Sequence, residues 1–270
     1  MHAKQPIALT IAGLDPSGGA GIIADVKTFV HFGARPAAAI TSLTFQNSQR
    51  VFGAIHESAE SLRAQVLPLL EEGRIAGLKI GMLPTADLVV EVARLLAETD
   101  LPAPVIDPVL QSSSGYELME KEAVDALVTD LMPWARLLTP NIHEAEVLTG
   151  LEISDEAGMR QASAIIRAMG VPAVLVKGGH LSHQSGERPT HAIDILDNDG
   201  QVTVFSGEWI DSPPVRGTGC MLSSAIAACL ARGISLEESV QAGKDFVAAT
   251  IRHAGGVTSL PADAQSAAGN

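Results

Sequence analysis

Apolar stretches of strand length recur along the chain at Ile7 to Ala12, Ala38 to Leu43, Leu78 to Ile80, Val105-Ile106, Leu137-Leu138 and Ala173 to Val176. Segments of helical period separate them. This alternation predicts an α/β fold with a mainly parallel central sheet and right-handed crossovers. In one intervening segment Leu88, Val89, Val92, Leu95 and Leu96 share a helical face behind Pro84, a residue favoured in a first turn. A second helix is predicted to start on a Ser154 cap with Asp155 and Glu156 in its first turn. Its buried stripe is Ala162, Ile165, Ile166 and Met169, and Gly170 stops it. The amphipathic run around Leu62, Val66, Leu69 and Leu70 contains Pro68, which predicts a kink or a break. From His191 to Ile210 two alternating stretches flank Asn198-Asp199-Gly200, the pattern of an antiparallel hairpin at a sheet edge. The polar segment Ser182 to Thr190 is expected to be a mobile loop and 259–270 a frayed tail. Glycines and prolines fall between elements and not in a linker, so residues 1–270 are expected to form one domain.

Composition narrows the picture. Hydrophobic residues make up 46% of the chain and aromatics only 3%, so the core is built from Ala, Val, Ile and Leu, as suits helices layered on a sheet. A net charge of −13 opposes nucleic acid and anionic membrane surfaces. Met1 to Gly13 lacks the long apolar region and cleavage pattern of a secretory signal. The longest uncharged helical stretch, Gly217 to Ala231, is shorter than the roughly 18 to 20 residues that a membrane span needs. The two cysteines, Cys220 and Cys229, fall on opposite faces of one helix at about 100° per residue, so they neither pair nor share a metal. Unpaired thiols point to a reducing, cytoplasmic compartment.

Candidate chemistry lies where strands end. Gly13-Leu14-Asp15-Pro16-Ser17-Gly18-Gly19-Ala20-Gly21 follows a predicted strand and opens a helix, a position where α/β sheets bind ligands. It is neither a P-loop nor a dinucleotide fingerprint, and a tight turn needed only for close packing is the alternative. Arg216-Gly217-Thr218-Gly219-Cys220 runs directly into an alanine-rich helix, so glycine-freed amides and a helix N-terminus make a site for an oxyanion or phosphoryl group. The same field is expected to lower the Cys220 pKa and suit it as a general base; the alternative is a small buried hydrophobe. Cys229 is read as core.

Lys177, in Lys177-Gly178-Gly179-His180 at a strand end, either pairs with nucleotide phosphates or is a solvated loop lysine. Asp107-Pro108-Val109 and Thr139-Pro140-Asn141-Ile142-His143-Glu144 supply hard oxygen ligands of the kind Mg2+ prefers, or else cap helices and turns. The histidines show no zinc spacing. Ser112 to Gly115 reads as a flexible turn and not a nucleophile elbow.

Taken together, these segments and Lys79-Ile80-Gly81-Met82 resemble, in order over about residues 6 to 255, the hydroxymethylpyrimidine/phosphomethylpyrimidine kinases of thiamine biosynthesis. The resemblance implies a ribokinase-like three-layer α/β/α fold and two successive phosphoryl transfers from ATP with Mg2+. The acceptors are 4-amino-5-hydroxymethyl-2-methylpyrimidine and then its monophosphate. It also implies a homodimer. By the same resemblance Gly13, Asp25 and Gln46 hydrogen-bond the aminopyrimidine, and Met82 and Val109 pack on its ring. Lys177, Thr139 and Asn141 handle nucleotide phosphates, Asp107 and Glu144 the metal. Cys220, with Gly217, Thr218 and Gly219, forms the catalytic turn. Two positions depart from the family pattern: Gln111 to Gly115 lacks the usual lysine, and Arg216 replaces the usual histidine. Arg216 is expected to restore the positive charge from the other side of the site. The alternatives are a pyridoxal or pyridoxamine kinase of the same branch, against which Gln46 and Asp25 argue, and a pyrimidine-binding sensor without turnover.

Overall fold

The computed structural model describes residues 5–112, 114–179 and 191–254. The loop expected at 182–190 and the tail at 259–270 lie outside those residues. In chain order the elements are β1 (Ile7–Leu14), α1 (Gly21–His31), β2 (Arg35–Gln46), β3 (Val51–His56), α2 (Ala59–Glu72), β4 (Ile75–Ile80), α3 (Ala86–Glu98), β5 (Val105–Ile106), α4 (Lys121–Ala126), β6 (Leu137–Leu138), α5 (Ile142–Thr149), α6 (Glu156–Ala168), β7 (Ala173–Lys177), β8 (His191–Asn198), β9 (Gln201–Glu208), α7 (Thr218–Ala231) and α8 (Leu236–Ala254).

The strands form one sheet in the order β3-β2-β1-β4-β5-β6-β7-β8-β9. The six from β2 to β7 in that order pair in parallel, whereas β3, β8 and β9 pair antiparallel. Because side chains alternate across a strand, each strand serves two cores. Ile7, Leu9, Ile11, Ile106, Leu138, Val174 and Val176 face α2 to α6. Ala8, Val105, Leu137, Ala173 and Leu175 face the layer containing Phe29 of α1, Leu222 and Ile226 of α7 and Val240 of α8. The result is the expected α/β/α sandwich.

The hairpin forms as expected, with Asn198 opposite Gln201 and positive φ at both Asp199 and Gly200, the geometry of a primed two-residue turn. Four local expectations change. β3 was not foreseen, because its exposed Phe52 and Ile55 break the alternation that marks a half-buried strand. Pro84 precedes α3, whose cap is Thr85, so the proline ends the approach and not the first turn. The cap of α6 is Asp155, whose carboxylate accepts from the Gly158 amide at 2.8 Å, one residue past Ser154. Pro68 lies within a continuous α2, on its exposed side, so it marks no break. Among the described residues no helix is long and apolar enough to cross a membrane.

α7 approaches the sheet most closely at Gly77 of β4. A methyl group there would lie 2.6 Å from the Ala227 carbonyl oxygen and 2.8 Å from the Ala231 Cβ. Gly77→Ala should therefore force α7 outward and cost about 1–3 kcal/mol. Calorimetry should record a fall in Tm of roughly 3–8 °C; an unchanged Tm would show that α7 is not held at this distance.

Candidate functional site

The C-terminal ends of β1, β4, β5 and β7 open into a cleft of about 2140 Å³, room for two small ligands side by side. At one end lie Gly13, Gln46, Met82 and Val109; at the other lie Lys177, Asn141, Glu144 and Asp107, with the turn Arg216 to Cys220 between them. The expected site residues thus converge, with two exceptions. Asp25 and Thr139 are fully buried and stand behind the cleft wall.

Asp25 accepts from Thr10 Oγ1 at 2.6 Å, Lys79 Nζ at 2.8 Å and Ser224 Oγ at 2.8 Å, so its oxygens are engaged within the protein. It reaches the cleft through Lys79, which lines it. Thr139 donates to Asp107 Oδ1 at 3.2 Å and steadies that carboxylate.

The two glycine segments meet. Gly217 has φ 74° and a Cβ there would lie 2.1 Å from the Gly19 carbonyl oxygen. At Gly21, φ 56°, a Cβ would lie 2.3 Å from the Gly13 carbonyl oxygen. Close packing therefore demands both glycines. Asp15 shapes the turn between them, accepting from the Ser17 amide and hydroxyl and from the Ala20 amide.

α7 starts at Thr218, so the amides of its first turn lack acceptors within the helix and point their partial positive charge into the cleft. A Cβ on Gly219 would lie 3.1 Å from Lys177 Nζ and 3.5 Å from Asp107 Oδ2, which places that ammonium and carboxylate at the same helix terminus. Lys177 and Asp107 pair at 2.9 Å. Burial works against the charge of each, but Asp107 and Glu144 raise the lysine pKa to about 12, and Lys177 and Lys79 hold the Asp107 carboxyl below its ordinary range. Lys177 is an ion-paired cleft residue and not a solvated one.

Glu144 and Asn141 form a reciprocal capping box at the start of α5. Burial, aided by Asp107, lifts the Glu144 pKa to about 7 despite Lys177 nearby. Among the described residues no group of three or more metal-binding side chains occurs. Two carboxylates beside a phosphate-sized anion site still suit Mg2+, which commonly takes one or two carboxylates and completes its shell with phosphate oxygens and water.

Cys220 reverses an expectation. Its pKa is pushed up to about 11, first by burial and then by Asp25 and Asp107, and neither Lys79 nor the Gly21 amide that donates to the sulfur offsets this. The thiol holds its proton at neutral pH. Cys229 is buried in the core, as expected.

Arg216 also differs from expectation. Its guanidinium donates to Ser17 Oγ at 3.1 Å, the Asn47 carbonyl at 2.8 Å and Gln46 Oε1 at 3.1 Å, and lies 3.4 Å from Asp15 Oδ2. The fork is spent on the first glycine turn and the end of β2, so it does not stand in for the lysine absent from 111–115. That segment is a turn, closed by the Gly115 amide on the Ser112 carbonyl at 2.9 Å.

Lys79 is the cleft residue that strand periodicity did not single out. A lysine at an inward position of the apolar run Ile75 to Ile80 was the available signal.

The sequence pattern of a family described as phosphomethylpyrimidine kinase matches residues 15–261. The chain is similar to a hydroxymethylpyrimidine/phosphomethylpyrimidine kinase of Streptomyces coelicolor, 39% identical over 246 residues, covering 91% of this chain and 88% of the relative. A crystal structure of phosphomethylpyrimidine kinase from Clostridium difficile superposes with a TM-score of 0.79 at 36% identity, covering 92% of this chain and 100% of that one. A pyridoxal kinase from Staphylococcus aureus in complex with AMP-PCP gives a TM-score of 0.82 at 27% identity, over 93% and 89% of the two chains.

The raised Glu144 pKa carries a stability prediction. An unfolded glutamate titrates near about 4.3, so the Glu144 contribution is fully present below that pH and is lost as pH rises through 7. Glu144→Gln keeps the capping box and removes the titration. Its Tm should match wild type near pH 4 and exceed it by several degrees at pH 8; a constant gap would contradict the burial argument.

Proposed function

The chain belongs to the phosphomethylpyrimidine kinase family, of ribokinase-like fold, and from that premise we propose how its cleft works as a single kinase domain using ATP. The acceptor is 4-amino-5-hydroxymethyl-2-methylpyrimidine and then its monophosphate, the thiamine-pathway substrates that the names of its relatives indicate. The observation that carries the arrangement is the meeting of the Gly217 to Cys220 turn, Lys177 and Asp107 in one cleft, opposite Gly13, Gln46, Met82 and Val109.

The pyrimidine ring packs between Met82 and Val109 with its polar edge on Gln46 and Gly13. Lys177 and Asn141 hold the nucleotide phosphates. Asp107 and Glu144 are the residues that would hold Mg2+, which when bound neutralises phosphate charge. The hydroxymethyl oxygen attacks the γ-phosphorus, the bond to the β-phosphate oxygen breaks to leave ADP, and the hydroxyl proton passes to Cys220 in the small fraction of molecules where it is thiolate, a fraction that grows with pH. The first-turn amides of α7 stabilise the equatorial oxygens as charge spreads over them. In the second transfer an oxygen of the monophosphate is the nucleophile and the product is the diphosphate.

Leu43, Phe45 and Ile55 are exposed, and Leu43 pairs directly with Ile55 across β2 and β3. This apolar edge supports a homodimer, because an uncovered hydrophobic edge strand otherwise invites aggregation. Ile55→Glu should convert a particle of twice the chain mass to one of single mass in light scattering.

Turnover should be compared on the hydroxymethylpyrimidine, its monophosphate and pyridoxal. We expect kcat/KM on the pyrimidine to exceed that on pyridoxal by at least about tenfold, the scale of one lost charged or shape-specific contact; the reverse order sinks the substrate assignment. With a thiol pKa near 11, kcat/KM should rise with pH through the neutral range as thiolate forms, and Cys220→Ser should flatten that rise. A flat wild-type profile would remove Cys220 as the proton acceptor.

A further inference from the structure

We propose that Arg216 is a positioning residue that fixes which end of the Gln46 carboxamide meets the substrate. The side chain leaves the start of α7 and crosses to the end of β2, where Nη2 donates to Gln46 Oε1 at 3.1 Å and Nη1 donates to the Asn47 carbonyl at 2.8 Å. A guanidinium carries donors and no acceptor, so the atom of Gln46 that faces it is the oxygen. The Nε2 amino group is thereby turned away from Arg216 and is the hydrogen-bonding end left for a ligand in the cleft.

The guanidinium is itself held in place. Its Nη1 donates to Ser17 Oγ at 3.1 Å, and Nη2 lies 3.4 Å from Asp15 Oδ2, a carboxylate fixed by the Ser17 and Ala20 amides. A planar fork reaches all of these partners at once; a lysine ammonium does not. Asp15 is only 2% exposed, so the anchor is rigid.

The consequence is a specificity rule, and it rests on the pyrimidine reading above. An aminopyrimidine edge presents ring-nitrogen acceptors beside an exocyclic amino donor. A carboxamide free to rotate by half a turn would satisfy either. With its oxygen held by Arg216, Gln46 selects an unprotonated ring nitrogen and not the amino group.

The test is a double-mutant cycle of Arg216→Met and Gln46→Ala, with KM and kcat measured on the hydroxymethylpyrimidine at saturating ATP. Arg216→Met should raise KM about tenfold with kcat changed less than about threefold, and the double variant should be no worse than Gln46→Ala alone. An analogue with the facing ring nitrogen replaced by CH should lose about tenfold in kcat/KM on the wild type and clearly less on Arg216→Met. Arg216→Lys, which keeps the charge but not the fork, should recover only part of the KM; it also serves in the cycle if the methionine variant does not fold. Multiplying effects in the double variant, or a loss of kcat at unchanged KM, would overturn the inference while leaving the substrate reading intact. A wild-type enzyme inactive on the pyrimidine would overturn that reading and this inference with it.

Discussion

One fully buried carboxylate, Asp25 on α1, fixes the helix layer that carries the anion cradle to the sheet beneath it. Its three partners come from three other elements: Thr10 from β1, Lys79 from β4 and Ser224 from α7. Neither Asp25 nor Lys79 is exposed at all. Removing one member of a buried ion pair strands the other and costs about 3–5 kcal/mol, a large part of the roughly 5–15 kcal/mol by which a domain is stable. Apolar residues of the same volume would hold these elements as firmly. They would not put a cation on the cleft floor, where burial opposes the Lys79 charge but Asp25, Cys220 and Asp107 keep it above the ordinary lysine range.

The same balance governs the thiol. A cysteine at a helix N-terminus beside lysines has the surroundings that usually favour thiolate. Here burial comes first, and Asp25 and Asp107 repel the developing charge, so the proton stays. The carboxylates that anchor α7 and pair Lys177 therefore add to burial in keeping the thiol neutral. Phosphoryl transfer tolerates this, because its loose transition state asks mainly for positioning and charge stabilisation. Those come from Lys177 and the first-turn amides of α7, whose placement depends on the Asp25 knot.

Sequence periodicity located the parallel strands because they bury their faces and so carry a clean pattern. The hairpin was marked by its Asn198-Asp199-Gly200 turn, since Val202 and Val204 of β9 are exposed and Phe205 is its buried residue. Periodicity passed over β3, whose Phe52 and Ile55 are exposed and whose role is to pair with β2 and not to fill a core. The cleft residues were legible as motifs at strand ends, since only there do several elements converge. Their electrostatics were not. The Cys220 shift comes first from burial by the folded chain and then from Asp25 and Asp107, which lie 195 and 113 positions away in sequence. Likewise the charge of Arg216 was evident, whereas its target was set by the fold, which brings Ser17 and Gln46 to it from about 200 and 170 positions away.

The first glycine cluster matched neither established phosphate motif, and its geometry explains why. Backbone contact sets the geometry: Gly21 must be glycine because its Cβ would meet the Gly13 carbonyl, and Gly217 of the second cluster must be glycine because its Cβ would meet the Gly19 carbonyl. Each contact is closer than any Cβ tolerates, so the two segments behave as one body with no side chain between them to repack. The end of the cleft holding Gly13 and Gln46 and the end holding Gly219 and Lys177 are thus joined through main chain. Arg216 tightens the same joint from the side, tying the residue before Gly217 to Asp15 and Ser17. A substrate edge bound at Gln46 therefore has its distance to the α7 N-terminus set in advance, which is the condition under which proximity lowers a bimolecular barrier.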